Sequence, residues 1–315
     1  MTSDGYTTSD GRTPSVRPAP AARFGPLGIW TPALTPRAPG GPGSAEAGEI
    51  AEALAEVDEL GYGTLWLGGS PSVAEAGAVV AATSGVTVAT GILSVRQYDA
   101  AAVAREVAGI ERAAPGRFVL GLGVSHDALD PESAPRYARP YTAMAGYLDG
   151  LDAAPEPVPA RNRVLAALGP RMLRLAAERT AGAHPYLITV EHTALARAEL
   201  GPDALLAPEV GVVLDADLDR ARETARDALA RYLLLPNYTR NLLRLGFAEA
   251  DFADGGSPRL LDALYALGGL DAVRARVEAH RAAGADHVAL QVLTPGPAPA
   301  LPRAEWRELA TALIA

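Results

Sequence analysis

Mixed polar and apolar segments and short, wholly apolar segments follow each other along the chain in a repeating order. A stretch rich in Ala, Leu, Arg and Glu leads to a glycine, and a short apolar run follows. Glycine suits a helix end because it adopts the left-handed backbone conformation at little cost. Strands that are apolar throughout are typical of parallel sheets covered on both faces. The pattern therefore predicts alternating helices and parallel strands, with glycines at the helix ends Gly61, Gly116, Gly182, Gly201 and Gly284.

Eight apolar runs are candidate strands. They cover 27–31, 64–67, 86–92, 118–124, 164–168, 186–189, 205–213 and 287–293. Eight strand–helix units in about 290 residues are the usual content of a (β/α)8 TIM barrel. An open doubly wound α/β sheet is the alternative, since a strand count does not show closure. The gap 216–286 exceeds one unit, so we expect a helical insertion before the last strand.

In such a barrel, functional residues lie at the carboxyl ends of the strands. This rule selects the residues to consider as a site. They are Trp30–Thr31, Gly68–Ser70, Thr90–Ile92, Ser125–Asp127, Gly169–Arg171, Thr189–His192, Glu209 and Gln291–Thr294.

The segment LGLGVSHD is one candidate. Gly121 and Gly123 would leave room inside the barrel for a flat ligand, and His126 follows the strand end. A histidine there can exchange a proton near neutral pH. The alternative is a loop histidine paired with Asp127 or with the backbone.

The segment ALGPRMLRL predicts an anion site. A strand ends at Gly169, Pro170 suits the first helical position, and Arg171 follows in the first turn. The free N–H groups of a helix start attract anions, so a phosphate-bearing ligand would fit. An ordinary strand-to-helix turn is the alternative.

Gly91 and Ile92 lie at the end of another predicted strand. They form either a simple bulge or a stretch of backbone that packs against a planar ligand.

Composition excludes several classes of function. The chain has no cysteine, and its 28 basic residues are all arginine against a formal net charge of −9. Disulfides and thiolate chemistry are excluded, and an acidic chain without a basic block does not suit nucleic acid. The histidines show no metal-ligand spacing, so we expect no metal site. Residues 1–25 are rich in Ser, Thr, Pro and Gly, and they predict a disordered tail on a cytoplasmic protein.

Several segments together resemble a known family. In chain order they are GIWTPAL, ELGYGTLWLGGSP, VTVATGIL, GRFVLGLGVSH, ALGPRMLRLAAERTAGAHPYL, LPNYTRNLLRLGF and AGADHVALQVL. The set is similar to the luciferase-like monooxygenase superfamily, and most of all to its actinobacterial oxidoreductases that use the deazaflavin coenzyme F420. The likeness spans about residues 26–313, so we expect residues 26–315 to form a single luciferase-like barrel domain.

The resemblance implies a cofactor across the carboxyl end of the barrel. It places a non-proline cis peptide behind the deazaflavin ring at Gly91–Ile92, and the cofactor phosphate at Gly169–Met172. Together with strand-end residues selected above, these give the predicted cofactor-binding residues Trp30, Gly69, Ser70, Gly91, Ile92, Ser125, Gly169, Pro170, Arg171 and Met172. The sugar-phosphate dehydrogenases of the family have a catalytic Glu where this chain has His126, and a His where it has Ser70, so their activity is not expected here.

We therefore expect an oxidoreductase that transfers a hydride between F420 and an organic substrate. His126 would donate or accept a proton, and Ser125 or Asp127 would fix its tautomer. An FMN-dependent monooxygenase is one alternative, and a non-catalytic deazaflavin-binding protein is another. The resemblance and the apolar insertion favour a homodimer that acts on a small molecule.

Overall fold

The computed structural model describes residues 20–35, 47–125, 139–296 and 301–314. Helices and strands alternate along the described chain, as the apolar pattern predicts. In order they are β1 (Leu27–Thr31), α1 (Ala47–Glu59), β2 (Thr64–Leu67), α2 (Val73–Ala81), β3 (Thr87–Thr90), β4 (Leu93–Ser94), α3 (Ala100–Ala113), β5 (Phe118–Gly123), α4 (Pro140–Asp152), β6 (Arg163–Leu165), α5 (Pro170–Arg179), β7 (Gly182–Ala183), α6 (Val190–Leu200), β8 (Leu205–Leu206), β9 (Glu209–Val213), α7 (Leu218–Ala230), α8 (Pro236–Arg244), α9 (Pro258–Leu264), β10 (Tyr265–Leu267), α10 (Leu270–Ala282), β11 (Val288–Val292) and α11 (Arg303–Leu313).

All strand pairs in the described sheet are parallel. The order is β10-β9-β11-β1-β2-β3-β5-β6-β7-β8, and β4 also pairs with β5. Only Ala207 and Pro208 separate β8 from β9. The Ala207 N–H donates to the Ala183 carbonyl on one side, and the Pro208 carbonyl accepts from the Ala289 N–H on the other. The sheet thus curls into the predicted (β/α)8 barrel.

Burial divides the apolar residues into an interior and an outer layer. Trp30 and Trp66 face the interior with small residues such as Ala89 and Ala289. Ile29 and the other outward-facing strand residues pack against the surrounding helices. Successive side chains of a strand point to opposite faces, so apolar strands fill both layers. A separate core lies within the insertion, among α7, α8 and α9.

Five expectations need correction. The run 205–213, predicted as one strand, forms β8 and β9, and Gly182, predicted at a helix end, lies in β7. The insertion is not wholly helical, since β10 extends the sheet beside β9. The seventh strand is Gly182–Ala183, whereas the apolar run 186–189 is a buried loop in which Leu187 has a φ of 54°. The expected tail overlaps the structure at residues 20–25, because Pro20–Arg23 form a 3-10 helix and Phe24 is buried.

Candidate cofactor site at the carboxyl end of the barrel

The strand after Ala89 contains a bulge. The spacing from Ala89 to Leu93 is one residue longer than that of their partners Val119 and Leu122. The Gly91–Ile92 peptide within the bulge is cis, which confirms that implication of the resemblance. Whether these two residues contact a cofactor stays a prediction.

The glycines of β5 fit the protein's own atoms rather than a ligand. A Cβ on Gly121 would overlap the Thr90 carbonyl oxygen, and one on Gly123 would lie 2.6 Å from Cδ1 of Ile92. The Thr90 hydroxyl also donates to the Gly121 carbonyl and accepts from its N–H, at 2.7 and 2.8 Å. The expectation that these glycines leave room for a flat ligand is therefore wrong.

Trp30 fills the centre of the barrel at this end. Its indole N–H donates to the Gly91 carbonyl at 2.9 Å, and its ring packs on the face of Gly68. The ring of Tyr186 lies 5.3 Å away on another side. Trp30 is nearly buried, with 6% of its surface exposed. It forms the floor on which a ligand at the strand ends would rest.

Gly91–Ile92 and the start of α5 lie along one continuous edge. β3, β5 and β6 are neighbours in the sheet, and a Cβ on Gly123 would touch both Ile92 and Ala166. Gly91, Ile92, Ser125, Ala166 and Gly169 are half-buried, in contrast to the fully buried strand residues below them. We call this open edge, from Gly91 to Met172, the rim.

The start of α5 has a positive environment. Gly169 occupies the N-cap without a side-chain cap, and Pro170 follows at the first helical position. The Arg171 guanidinium lies 4.4 Å from the centre of the Tyr141 ring. Nη1 of Arg244 would lie 3.9 Å from a Cβ on Gly169. Among the ion pairs of the described residues, none involves Arg171 or Arg244, so both charges remain available to an anion.

The positive charge of Arg244 also affects a neighbouring histidine, His192. Nε2 of His192 lies 2.9 Å from the Leu168 carbonyl, the direction in which an Nε2–H donates. Burial lowers the pKa of His192, and the charge of Arg244 lowers it further. A neutral imidazole with a fixed tautomer thus supports the loop before α5.

Gly69 and Ser70 lie at the end of β2, where the chain turns with positive φ at both residues. The Ser70 hydroxyl donates to Oε1 of Gln97 at 2.8 Å and accepts from the Ser94 N–H at 2.9 Å. These bonds join the loop after β2 to β4 and to the segment that follows it. A role of Ser70 in cofactor binding stays a prediction.

Comparisons with known proteins bear on the family and the fold. Residues 26–154 match the model of the luciferase-like monooxygenase family. This segment, about two fifths of the chain, is therefore similar to the luciferase-like monooxygenase family. No curated protein sequence matches it.

Solved structures share the luciferase-like fold at low identity. An F420-dependent secondary alcohol dehydrogenase, in complex with an F420–acetone adduct, is similar with a TM-score of 0.66 and 16% identity over 91% of this chain and 98% of that one. A coenzyme F420-dependent tetrahydromethanopterin reductase from Methanopyrus kandleri has a TM-score of 0.65 and 15% identity over 92% and 98%. The oxygenating constituent of 3,6-diketocamphane monooxygenase from Pseudomonas putida, in complex with FMN, has a TM-score of 0.60 and 13% identity over 91% and 96%.

The ten predicted cofactor-binding residues lie at or just after the carboxyl ends of neighbouring parallel strands, at one end of the barrel. The predicted catalytic residues His126 and Asp127 lie outside the described residues, whereas Ser125 is described with a φ of 64°. Within the described ranges no group of three or more potential metal ligands comes together, and no helix is long and apolar enough to cross a membrane.

Sequence reasoning missed Arg244. This residue lies 75 positions after Gly169 and reaches the rim from α8 of the insertion. Nothing in the local sequence links the two, because the contact depends on how the insertion folds back over the barrel. The strand-end rule selected Gln291, which lies in β11 and accepts from the Tyr186 hydroxyl. It also selected Glu209, but this residue begins β9 and does not lie at a carboxyl end.

Proposed function

We propose that this luciferase-like protein is an oxidoreductase that binds coenzyme F420 along the rim and transfers a hydride between it and a small organic substrate. The observation that carries the proposal is the start of α5, a helix start without a side-chain cap, which adjoins two arginines that have no acidic partner among the described residues. Such a site suits the phosphate of a cofactor. The F420-dependent enzymes of the same fold support the choice of cofactor.

The residues present fit an elongated, phosphate-bearing cofactor. Arg171 and Arg244 would hold the phosphate beside Gly169, Pro170 and Met172. The half-buried Gly91, Ile92 and Ser125 would contact the ring system, with Trp30 beneath them. Gly69 and Ser70 would border the ring on the β2 side.

A deazaflavin bound there supplies a hydride donor or acceptor at its C5 carbon. The protein supplies geometry: the rim would hold the ring in one orientation against the substrate, which turns a bimolecular encounter into an oriented one. His126 would exchange a proton with the substrate, with Ser125 or Asp127 fixing the imidazole tautomer. A group in that role carries an exchangeable proton near neutral pH.

Equilibrium binding tests the choice of cofactor. We expect micromolar or tighter binding of F420 and weaker binding of FMN. The quenching of tryptophan fluorescence measures both affinities. Stronger binding of FMN would replace the proposal with a flavin monooxygenase, the class of one solved structure with this fold. Oxygen consumption by the reduced cofactor separates the two, since deazaflavins react sluggishly with oxygen.

The role of His126 is tested by turnover. His126→Asn should lower turnover at least about tenfold, the lower range for a general acid or base, while F420 affinity changes little. Arg105→Gln, on the exposed face of α3, serves as a control that should change neither. Unchanged turnover in the His126 variant would contradict the role.

Two further proposals complete the assignment. Tight F420 binding without turnover on a broad substrate panel would identify a non-catalytic deazaflavin carrier instead of an enzyme. We also propose a homodimer, which sedimentation at micromolar concentration would distinguish from a monomer.

A further inference from the structure

A second polar site lies across Trp30 from the rim. A cleft of about 590 Å³ opens between α7 and the ends of β1 and β11, a size typical of small-ligand pockets. We call it the α7 cleft. Its polar side chains include Asp227, Arg231 and Gln291, and Trp30 forms part of its apolar wall.

In the hydrogen bonds around the cleft, the donor and the acceptor of each bond can be assigned. Nη2 of Arg231 donates to the Tyr232 hydroxyl at 2.8 Å. The Tyr186 hydroxyl donates its single proton to Oε1 of Gln291 at 2.9 Å. Tyr232 must therefore donate to Tyr186 across their 2.8 Å contact, since Tyr186 has no second proton.

This direction decides what the cleft offers to a ligand. The amide oxygen of Gln291 is occupied, so its NH2 group remains as a donor. The Arg231 guanidinium has five N–H groups, of which the chain of hydrogen bonds uses one. The same guanidinium also hydrogen-bonds to the Tyr186 hydroxyl, and no ion pair of Arg231 occurs among the described residues. Arg231 therefore keeps further N–H groups, and Gln291 keeps its NH2 group, as donors in one cleft.

A ligand that matches these donors is an oxyanion, and a carboxylate is the simplest. Charge-assisted bonds from a guanidinium to a carboxylate are short and strong, and the planar fork favours two parallel contacts. The apolar wall formed by Trp30 and Pro295 suits the carbon skeleton of such an acid. Asp227 and Arg231 are both exposed and both line the cleft, so the negative charge of Asp227 would weaken the binding of an anion.

We propose that the α7 cleft binds the carboxylate of an organic acid through Arg231 and Gln291. We identify this acid as the substrate of the oxidoreductase, an assignment that rests on the proposed function. Trp30 lines the cleft and bonds to the Gly91 carbonyl, so one side chain separates the anchored carboxylate from the rim. The rest of the substrate extends past Trp30 toward the ring of the cofactor.

The test compares acids with their neutral amides on the cofactor-free full-length protein. Benzoate and phenylacetate are titrated against benzamide and phenylacetamide, with the fluorescence of Trp30 and Trp306, which both line the cleft, as the readout. Each acid should bind more tightly than its amide. Arg231→Gln should weaken benzoate binding at least about tenfold and leave benzamide unchanged.

Two variants keep the test independent of folding defects. Asp227→Asn should strengthen benzoate binding severalfold, an effect that a damaged fold would not produce. Arg105→Gln should leave binding unchanged. Equal binding of acids and amides, or an Arg231→Gln variant that binds benzoate like the parent, would overturn the proposal.

F420 titrations on the same samples separate this inference from the proposed function. Binding of F420 without preference for the acids would overturn the cleft assignment alone. Preference for the acids without binding of F420 or FMN would overturn the proposed function and leave the carboxylate site.

Discussion

The barrel interior around Trp66 and the rim use polar side chains in opposite ways. In the interior, the Trp66 indole N–H donates to Nε2 of His287 at 3.0 Å, and Nδ1–H of that ring donates to the Gly25 carbonyl at 2.8 Å. The indole also stacks on His184 at 3.9 Å. At the rim, Arg171 and Arg244 have no acidic partner among the described residues. Polar groups that bond to one another stabilise a fold, whereas unpaired cations at a half-open edge are available to a ligand.

Replacing Trp66 should have the largest effect on stability. Trp66→Ala removes a buried ring that stacks between Phe24 and His184, and large-to-small changes of this kind cost about 3–5 kcal/mol. Urea unfolding at pH 7 measures the loss. Trp66→Phe, which keeps the ring contacts but not the N–H, should lose less. A loss below about 1 kcal/mol for the alanine variant would show that the interior does not depend on this ring.

Glu209 should carry a stability cost that depends on pH. Its side chain is buried and accepts from the Leu187 N–H at 3.1 Å, and burial raises its pKa from 4.5 to about 8. The native state therefore retains a proton that the unfolded chain releases above pH 4.5, so stability falls as the pH rises toward 8.

Glu209→Gln removes this cost while keeping an oxygen for Leu187. The variant should be more stable than the parent at pH 8 by an amount on the order of 3 kcal/mol, and the difference should shrink toward pH 5. Urea unfolding across this pH range measures it. A difference independent of pH would contradict a buried, protonated carboxyl group.

Arg244→Gln should separate binding from stability. We expect about a tenfold loss of F420 affinity, the usual scale for one charge-assisted hydrogen bond, and a change in unfolding free energy within about 0.5 kcal/mol. Isothermal titration and urea unfolding of the same samples give the two numbers. Arg105→Gln is the matched control. A variant that loses stability but not affinity would make Arg244 a structural residue.

Ser70→Ala should have the smallest effect. The change removes two hydrogen bonds that join the loop after β2 to β4 and to Gln97, which should cost about 1 kcal/mol of stability. F420 affinity distinguishes the two roles of the hydroxyl. A clear loss of affinity with unchanged stability would assign Ser70 to the cofactor instead of to the link between strands.

Much of the barrel could be predicted because its strands are short apolar runs between helices with regular glycine ends. The exceptions have physical causes. The run 186–189 is apolar because it is buried, and burial alone does not make a strand. β10 has only three residues, and this short apolar run lies between helices of the insertion. Gly121 and Gly123 meet neighbouring protein atoms, which a sequence cannot show.

The candidate site also contains residues that sequence rules predict and residues that they miss. Gly169, Pro170 and Arg171 are contiguous, so local rules for helix starts find them. Arg244 comes from another part of the chain, and only the folded insertion brings it to Gly169. The hydrogen-bond chain through Tyr186, Tyr232 and Gln291 also joins three distant segments. Sequence rules find groups at strand ends, but not their partners across the barrel.

The most direct test of the central claim compares F420 with its phosphate-free ribityl deazaflavin on the parent protein and on Arg244→Gln. Both compounds share the ring and the ribityl chain, and F420 adds the phosphate and its acidic tail, so the part of their affinity ratio that Arg244→Gln removes measures what the start of α5 contributes. We predict that F420 binds at least about tenfold more tightly, and that added salt reduces the ratio. Equal affinities, or no binding of either compound, would contradict a phosphate site at the rim.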